Sequence, residues 1–160
     1  MKVFSEVTPF DFGGPAANEI VLPQGIIGFA QYRRAELLYM PDHLPFLWMR
    51  LHRTDISNRS DSVHFIVLEP GGVIADYEPE IFDEDAEQLG ITDPSEAMIL
   101  NIVTLRQQQP VEASINLVGP VIVNRRTRTG RQLVISNYSL YSAHYQLVDC
   151  APASAQARIA

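Results

Sequence analysis

The sequence predicts a mainly β protein, a small antiparallel barrel or sandwich with one or two short helical turns. Apolar runs of strand length recur along the chain, turn residues separate them, and few stretches carry helix signals. The length of 160 residues suits a single domain with its own core. We assign residues 1–148 to this domain and the small, alanine-rich residues 149–160 to a flexible tail.

The N-terminal half contains apolar runs that predict strands. They cover residues 2–8, 19–22, 36–40, 45–51 and 63–68. A single helical turn is expected at 31–36, and loops are expected at 9–18 and 52–62. Trp48 and Phe65 are expected in the core, where truncation of either side chain to alanine should cost about 3–5 kcal/mol.

A tight turn is predicted directly after the run 19–22. Gly25 and Gly28 stand three residues apart, Pro23 precedes them and Phe29 follows. Glycine supplies unusual backbone angles, and the aromatic ring would anchor the turn in the core. A phosphate-binding loop is the alternative interpretation, but no lysine or helix start follows at the required distance.

The region after the run 63–68 is strongly acidic. Seven carboxylates fall within twelve residues, and no lysine or arginine occurs between Arg59 and Arg106. A short helix is predicted at 83–89, with acidic residues at its N-terminus and Gly90 as its stop. Asp93, Pro94 and Glu96 form a second helix-start signal, and residues 98–105 predict another strand.

Two interpretations of the acidic region remain open. It is either a solvated face or an acidic docking surface for a protein. Apolar residues among the carboxylates, Tyr77, Ile81 and Phe82, favour docking, because binding hot spots are commonly apolar anchors ringed by polar groups. The candidate partner-binding residues are Asp76, Tyr77, Glu78, Glu80, Phe82, Asp83, Glu84, Asp85 and Glu87.

The clearest strand pattern lies in residues 114–136. The apolar run is interrupted at Gly119-Pro120, resumes at 121–123, and returns at 133–135 after a polar turn. Gly130 is expected to supply a positive φ in that turn. A last strand or strand-turn is predicted within 137–147.

The sequence offers few signs of enzymatic chemistry, and no cofactor or catalytic residue is predicted. The four histidines show no metal-binding spacing, and His64, inside a predicted strand, is expected to be packed. The single Cys150 is expected to be a reduced thiol in a cytosolic protein. No signal peptide or membrane-span run is recognised. A small-barrel hydrolase or metal enzyme using His64 or His144 is the alternative function.

Direct nucleic-acid binding is disfavoured by the formal net charge of −7. The feature that favours it is the turn carrying Arg125, Arg126, Arg128 and Arg131, where guanidinium groups could contact phosphates. Because this turn is one hairpin tip on an acidic protein, a solvated hairpin end is the preferred interpretation.

Taken together, the motifs resemble the FliW family of flagellar assembly factors over about residues 19–138. The first matching stretch is Leu22-Pro23-Gln24-Gly25-Ile26-Ile27-Gly28-Phe29, and further matches are Pro45-Phe46-Leu47-Trp48, Phe65-Ile66-Val67, Asp76-Tyr77-Glu78, Leu89-Gly90-Ile91, Asn116-Leu117, Pro120-Val121-Ile122-Val123-Asn124 and Gly130-Arg131-Gln132. Leu22 and Ile27 depart from the residues common in the family. The order of the motifs along one chain is what makes the resemblance specific.

The resemblance implies a non-enzymatic, β-barrel-like protein that acts in the cytoplasm. FliW-like proteins bind flagellin and the carbon storage regulator CsrA, an RNA-binding repressor of flagellin translation. When flagellin is exported, the FliW-like protein is released and sequesters CsrA. An acidic protein would suit a basic partner of this kind.

Overall fold

The computed structural model describes residues 1–3, 18–55, 61–106 and 112–147. In this part of the chain, strands dominate and one α-helix is present. The elements are β1 (Glu19–Val21), β2 (Arg34–Leu38), β3 (Phe46–His52), β4 (Ser62–Leu68), α1 (Asp83–Gln88), β5 (Ala97–Arg106), β6 (Glu112–Ile115), β7 (Val121–Asn124), β8 (Gly130–Gln132) and β9 (Tyr145–Gln146), with 3-10 turns at Pro41–His43, Pro94–Glu96 and Tyr138–Leu140. The predicted mainly β, antiparallel class is confirmed.

The long strand β5 organises the sheet. Its C-terminal half pairs with β4 and β6, whereas its N-terminal half pairs with β7, which in turn pairs with β8. The main path runs β1-β2-β3-β4-β5-β6-β9, and every ladder is antiparallel. Among the described residues, strand pairing does not close the sheet into a barrel, although an isolated parallel bridge joins Val21 to Thr129.

Alternation along the strands divides the apolar side chains among three core clusters. One lies against β1, β2 and β3 and includes Leu37, Met49 and Leu51. A second includes Phe46, Leu68 and Tyr77, and the third packs beneath α1. The first five residues of β5 are all buried, because both faces of this part of the strand are covered.

The glycine turn before β2 is built as predicted. Gly25 has φ +64°, Gly28 has φ +89°, and the Phe29 amide donates to the Ile26 carbonyl at 2.7 Å. Phe29 packs against the first core cluster and meets Phe65 edge to face, with ring centroids 5.3 Å apart. The turn is therefore a structural anchor.

The signals at the ends of the helical turns are also confirmed. Gly90, at φ +69°, ends α1, and the Ile91 amide reaches back to the Ala86 carbonyl at 2.9 Å, as in a Schellman motif. The Asp93 side chain accepts from the Ser95 amide, and Glu96 accepts from the Asp93 amide, both at 2.9 Å. The bond from the Ser95 amide lowers the pKa of Asp93, and the bonds from the Thr92 hydroxyl, at 2.8 Å, and from the Asp93 amide lower the pKa of Glu96.

The hairpin within 114–136 differs from the prediction in its register. The return strand is β8, at Gly130–Gln132, and not 133–135, because the turn is only five residues long. Arg128, at φ 61°, takes the left-handed conformation expected for Gly130. Gly130 is needed for close packing instead, since a Cβ there would lie 2.9 Å from the Val123 side chain.

Several other predictions need correction or fall outside the described residues. Residues 34–36 begin β2 and are not helical, because their pairing with β3 overrides the local signal. Trp48 and Phe65 are half-buried and not fully in the core, and His64 is exposed. Three predicted elements fall partly or wholly outside the described residues. They are most of the strand 2–8, about half of the loop 52–62 and all of the tail 149–160.

Candidate protein-binding surface

Residues 76–82, here called the acidic strap, form an extended segment with alternating exposure. Tyr77, Pro79 and Ile81 point inward and are buried, whereas residues 76, 78 and 82 are exposed and Glu80 is half-exposed. This period of two is that of a strand with one buried face. The alternation aligns the strap's carboxylates on its outer side.

The strap is held by a second segment, residues 134–141. The Ser136 amide donates to the Glu80 carbonyl at 2.7 Å. The Asn137 side chain clamps the strap twice, since its Oδ1 accepts from the Glu80 amide and its Nδ2 donates to the Glu78 carbonyl, both at 2.9 Å. The Tyr141 hydroxyl accepts from the Glu78 amide at 2.8 Å. Side chains thus fix the backbone that carries the acids.

Tyr77, one of the predicted contact residues, is buried in the structure. Its side chain is only 4% exposed, its hydroxyl donates to the Leu117 carbonyl at 2.7 Å, and it lies 3.2 Å from Asn101 Nδ2. Burial raises the pKa of Tyr77 to about 12. The strict alternation of the strap was the sequence signal that separates inward Tyr77 from outward Phe82.

Helix α1 continues the acidic surface beyond the strap. Asp83, Glu84 and Glu87 are exposed, and within the described residues Glu84 and Glu87 form no ion pair. Asp85 instead turns inward, where Arg131 Nη1 lies 3.4 Å from its carboxylate and also contacts Gln88. Asp85 is therefore a structural partner of Arg131 and is less available to a ligand.

Positive charge near this surface is sparse. Lys2 Nζ lies 3.8 Å from a Glu78 oxygen and 4.0 Å from a Glu80 oxygen, in a largely exposed geometry. Such exposed pairs contribute little and are screened by salt. The strap and α1 together therefore present an excess of negative charge to solvent.

Large apolar side chains are exposed on the acidic strap and on the second segment, residues 134–141. Phe82, the only member of this group among the predicted contact residues, is 51% exposed. On the second segment Val134, Tyr138 and Leu140 are 49%, 55% and 72% exposed. Val134 was missed because residues 133–135 were predicted to be one return strand. Tyr138 and Leu140 were missed because residues 137–147 were predicted only as a last strand or strand-turn.

The turn that carries the four arginines was predicted to be a solvated hairpin end, but it is not solvated along its whole length. Arg125 pairs with Glu69 at 3.7 Å, and both side chains are largely covered. Burial raises the pKa of Glu69 despite the neighbouring Arg125. Arg131 is paired to Asp85 in the same way, so Arg125 and Arg131 are both engaged with carboxylates of the protein itself.

A polar groove of about 630 Å³ lies over the exposed face of β1, β2 and β3. Its central carboxylate, Glu36, accepts from Arg50 at 2.7 Å and lies 3.2 Å from His52 Nε2. Burial alone would raise the pKa of Glu36, but the bonds to Arg50 and His52 outweigh it and lower the pKa. The charged groups at the centre of the groove thus pair with one another, while Arg50 Nε and His52 Nδ1 are buried without a hydrogen-bond partner among the described residues.

The histidines do not assemble into a metal centre where the chain is described. Within residues 1–3, 18–55, 61–106 and 112–147, no group of three or more His, Cys, Asp or Glu side chains could hold a metal ion. His64 and His144 are both exposed. Cys150 lies outside the described residues. Across these same ranges, we find no helix of sufficient length and apolar character to cross a membrane.

The fold and this surface define a small antiparallel β protein with a rigid acidic face that bears exposed apolar groups. The family model described as FliW protein matches residues 12–147. The chain therefore belongs to the FliW family.

Similar proteins agree with this assignment. A flagellar assembly factor FliW from Natranaerobius thermophilus is 31% identical over 133 residues, which are 81% of this chain and 84% of the relative. Another, from Thermotoga neapolitana, is 29% identical over 124 residues, 78% of this chain and 79% of the relative. A crystal structure of the flagellar assembly factor FliW shares the fold, with a TM-score of 0.62 and 24% identity over 81% of this chain and 83% of that chain.

Proposed function

We propose that this protein is a non-enzymatic regulator of flagellar assembly that acts in the cytoplasm. It binds flagellin and, when flagellin has been exported, sequesters the translational repressor CsrA, so that flagellin translation resumes. The observation that carries the proposal is membership of the FliW family over residues 12–147. Relatives of similar length carry the name flagellar assembly factor.

The acidic surface supports the choice of CsrA as a partner. An RNA-binding repressor must present lysine and arginine to phosphates, and such a surface is complementary to a face rich in carboxylates. Glu84 and Glu87 are the best-placed groups, because they are exposed and form no ion pair among the described residues. Tyr77 and Asp85 are excluded from direct contact in this proposal, since both point inward.

The first test is calorimetric titration of the purified protein with CsrA and, separately, with flagellin. We expect both proteins to bind. If the wild-type protein binds neither one, the proposed function is wrong.

The role of the acidic surface is tested by the double variant Glu84→Lys, Glu87→Lys. Reversing two charges should weaken CsrA binding by about tenfold, the order expected when several exposed ion pairs become repulsive. The matched control is Glu19→Lys, Glu112→Lys, which changes the net charge equally on β1 and β6. Equal losses in the two variants would mean that overall charge matters and this surface does not.

A further inference from the structure

We infer that the docking surface extends from the acidic strap onto residues 134–141, where Val134, Tyr138 and Leu140 join Phe82 as its apolar centre. The occupant that fits is a protein segment presenting apolar side chains flanked by lysine or arginine. The inference rests on the proposed function only in taking the partner to be a protein, and it does not depend on which protein that is.

The hydrogen bonds between the two segments place these residues side by side. Ser136 bonds to Glu80, and Tyr141 bonds to Glu78 and to the Asp76 carbonyl, so the segments run antiparallel. Continuing this register by two residues brings Val134 beside Phe82. Tyr138 and Leu140 lie on the 3-10 turn between Asn137, which bonds to the Glu78 carbonyl, and Tyr141, which bonds to the Asp76 carbonyl. These bonds place the turn beside the N-terminal half of the strap.

The burial pattern shows that both segments expose the same side. Ile81 and Leu133 share the third core cluster, and Tyr77 and Ile135 share the second. Because Ile81 and Leu133 are buried in one cluster and Tyr77 and Ile135 in another, the neighbouring Phe82 and Val134 emerge on a common outer face. Scattered exposed apolar residues are ordinary on protein surfaces, but a grouped set rimmed by polar residues marks an interaction site.

Charge complementarity decides what chemistry the occupant carries. The exposed carboxylates of residues 76, 78, 83, 84 and 87 lie on the strap and on α1, next to Phe82. Lys2 pairs with Glu78 and Glu80, and the N-terminal ammonium of Met1 lies 3.6 Å from Asp83, so the carboxylates outnumber these cations. An anionic membrane or a nucleic acid would be repelled by this rim. A basic amphipathic segment would place its apolar side on Phe82, Tyr138 and Leu140 and its cations on the carboxylates.

The arrangement is also preorganised. Asn137 and Tyr141 hold the strap through side-chain hydrogen bonds, and Tyr77 and Tyr141 stack edge to face with ring centroids 4.9 Å apart. A surface already fixed in its binding geometry loses less conformational entropy when a partner binds.

The test uses a synthetic amphipathic helical peptide of leucine and lysine, labelled for fluorescence anisotropy, and a charge-inverted peptide of leucine and glutamate. The wild-type protein should bind the lysine peptide and not the glutamate peptide. The variant Tyr138→Ser, Leu140→Ser should bind the lysine peptide at least about tenfold more weakly, as expected for truncated apolar anchors. Phe82→Ser, on the other segment, should also weaken binding.

The matched control is Ile27→Ser, Met40→Ser, which removes two apolar side chains that are 70% and 44% exposed elsewhere on the molecule. It should bind the lysine peptide like the wild type, and thermal melting should show that every variant is folded. Absence of peptide binding, or equal affinity of the Tyr138, Leu140 variant and the control, would overturn the inference. Neither result depends on the titrations with CsrA and flagellin, so failure of the proposed function is recognised separately.

Discussion

Replacing Gly25 with alanine should destabilise the protein more than the same replacement at Gly28, although both glycines have positive φ. At Gly28, φ is +89° and a built Cβ meets no atom within 4 Å. At Gly25, φ is +64° and the Cβ would lie 2.3 Å from the Phe29 carbonyl oxygen and 2.8 Å from Ala30 Cα. The pair therefore separates the cost of the backbone conformation from the cost of a clash.

The expected magnitudes follow from this geometry. A left-handed conformation costs an alanine about 1–2 kcal/mol, which is the whole loss expected for Gly28→Ala. At Gly25 the obstructing atom is backbone, and the Phe29 carbonyl is already engaged by the Tyr32 amide at 3.1 Å. Moving this carbonyl would also disturb the packing of Phe29 against Phe65. Gly25→Ala should therefore lower the free energy of unfolding by at least about 2 kcal/mol more than Gly28→Ala does.

Urea denaturation of the two variants and the wild type, followed by far-ultraviolet circular dichroism, measures the free energies of unfolding. Gly28→Ala serves as the control for φ alone. Equal losses for the two variants would refute the argument that close approach of the Phe29 carbonyl makes Gly25 necessary.

Two further predictions concern buried polar groups. Because the pKa of Tyr77 is raised to about 12 in the folded protein, Tyr77 ionises at lower pH in the unfolded protein than in the folded one. Its contribution to the stability of the protein is therefore complete below about pH 10 and falls as the pH rises to about 12. In urea denaturation at pH 8, Tyr77→Phe should have a lower free energy of unfolding than the wild type. This difference should shrink by roughly 2–3 kcal/mol towards pH 12, and a difference that stays constant with pH would contradict the prediction. Asn124→Ala should cost about 2–4 kcal/mol, because it leaves the Leu89 carbonyl and the Arg126 amide without their partners, at 2.8 and 2.9 Å. The exposed Thr127→Ala is its control, and a loss as small as the control's would show that water replaces the Asn124 bonds.

Local signals in the sequence were sufficient for much of this fold. Gly90 and Asp93 end and begin their turns because capping depends on residues only two to five positions apart. The strands β3 to β5 were predicted to within a residue at each end, because their apolar runs are long. The return strand of the hairpin was misplaced, since Arg128, and not Gly130, adopts the positive φ that sets the register.

The surface was less predictable, because it is assembled from two distant segments. The carboxylates of residues 76–87 are contiguous in the chain, so composition identified them. Tyr138 and Leu140 are about sixty residues further on, and the bonds of Ser136, Asn137 and Tyr141 bring them to the strap. Trp48 was predicted to be core from its size, whereas the alternation of β3 places it on the less covered face.

Strand β5 is shared by two sheets, and this affects how the protein unfolds. Ala97–Leu100 belongs to the ladder with β7, and residues 101–103 belong to the ladder with β4. Since one continuous strand is a member of both ladders, displacing β5 from one ladder also disrupts the other. The two sheets should therefore behave as one cooperative unit, with the amides along β5 exchanging with solvent at similar, slow rates through global unfolding.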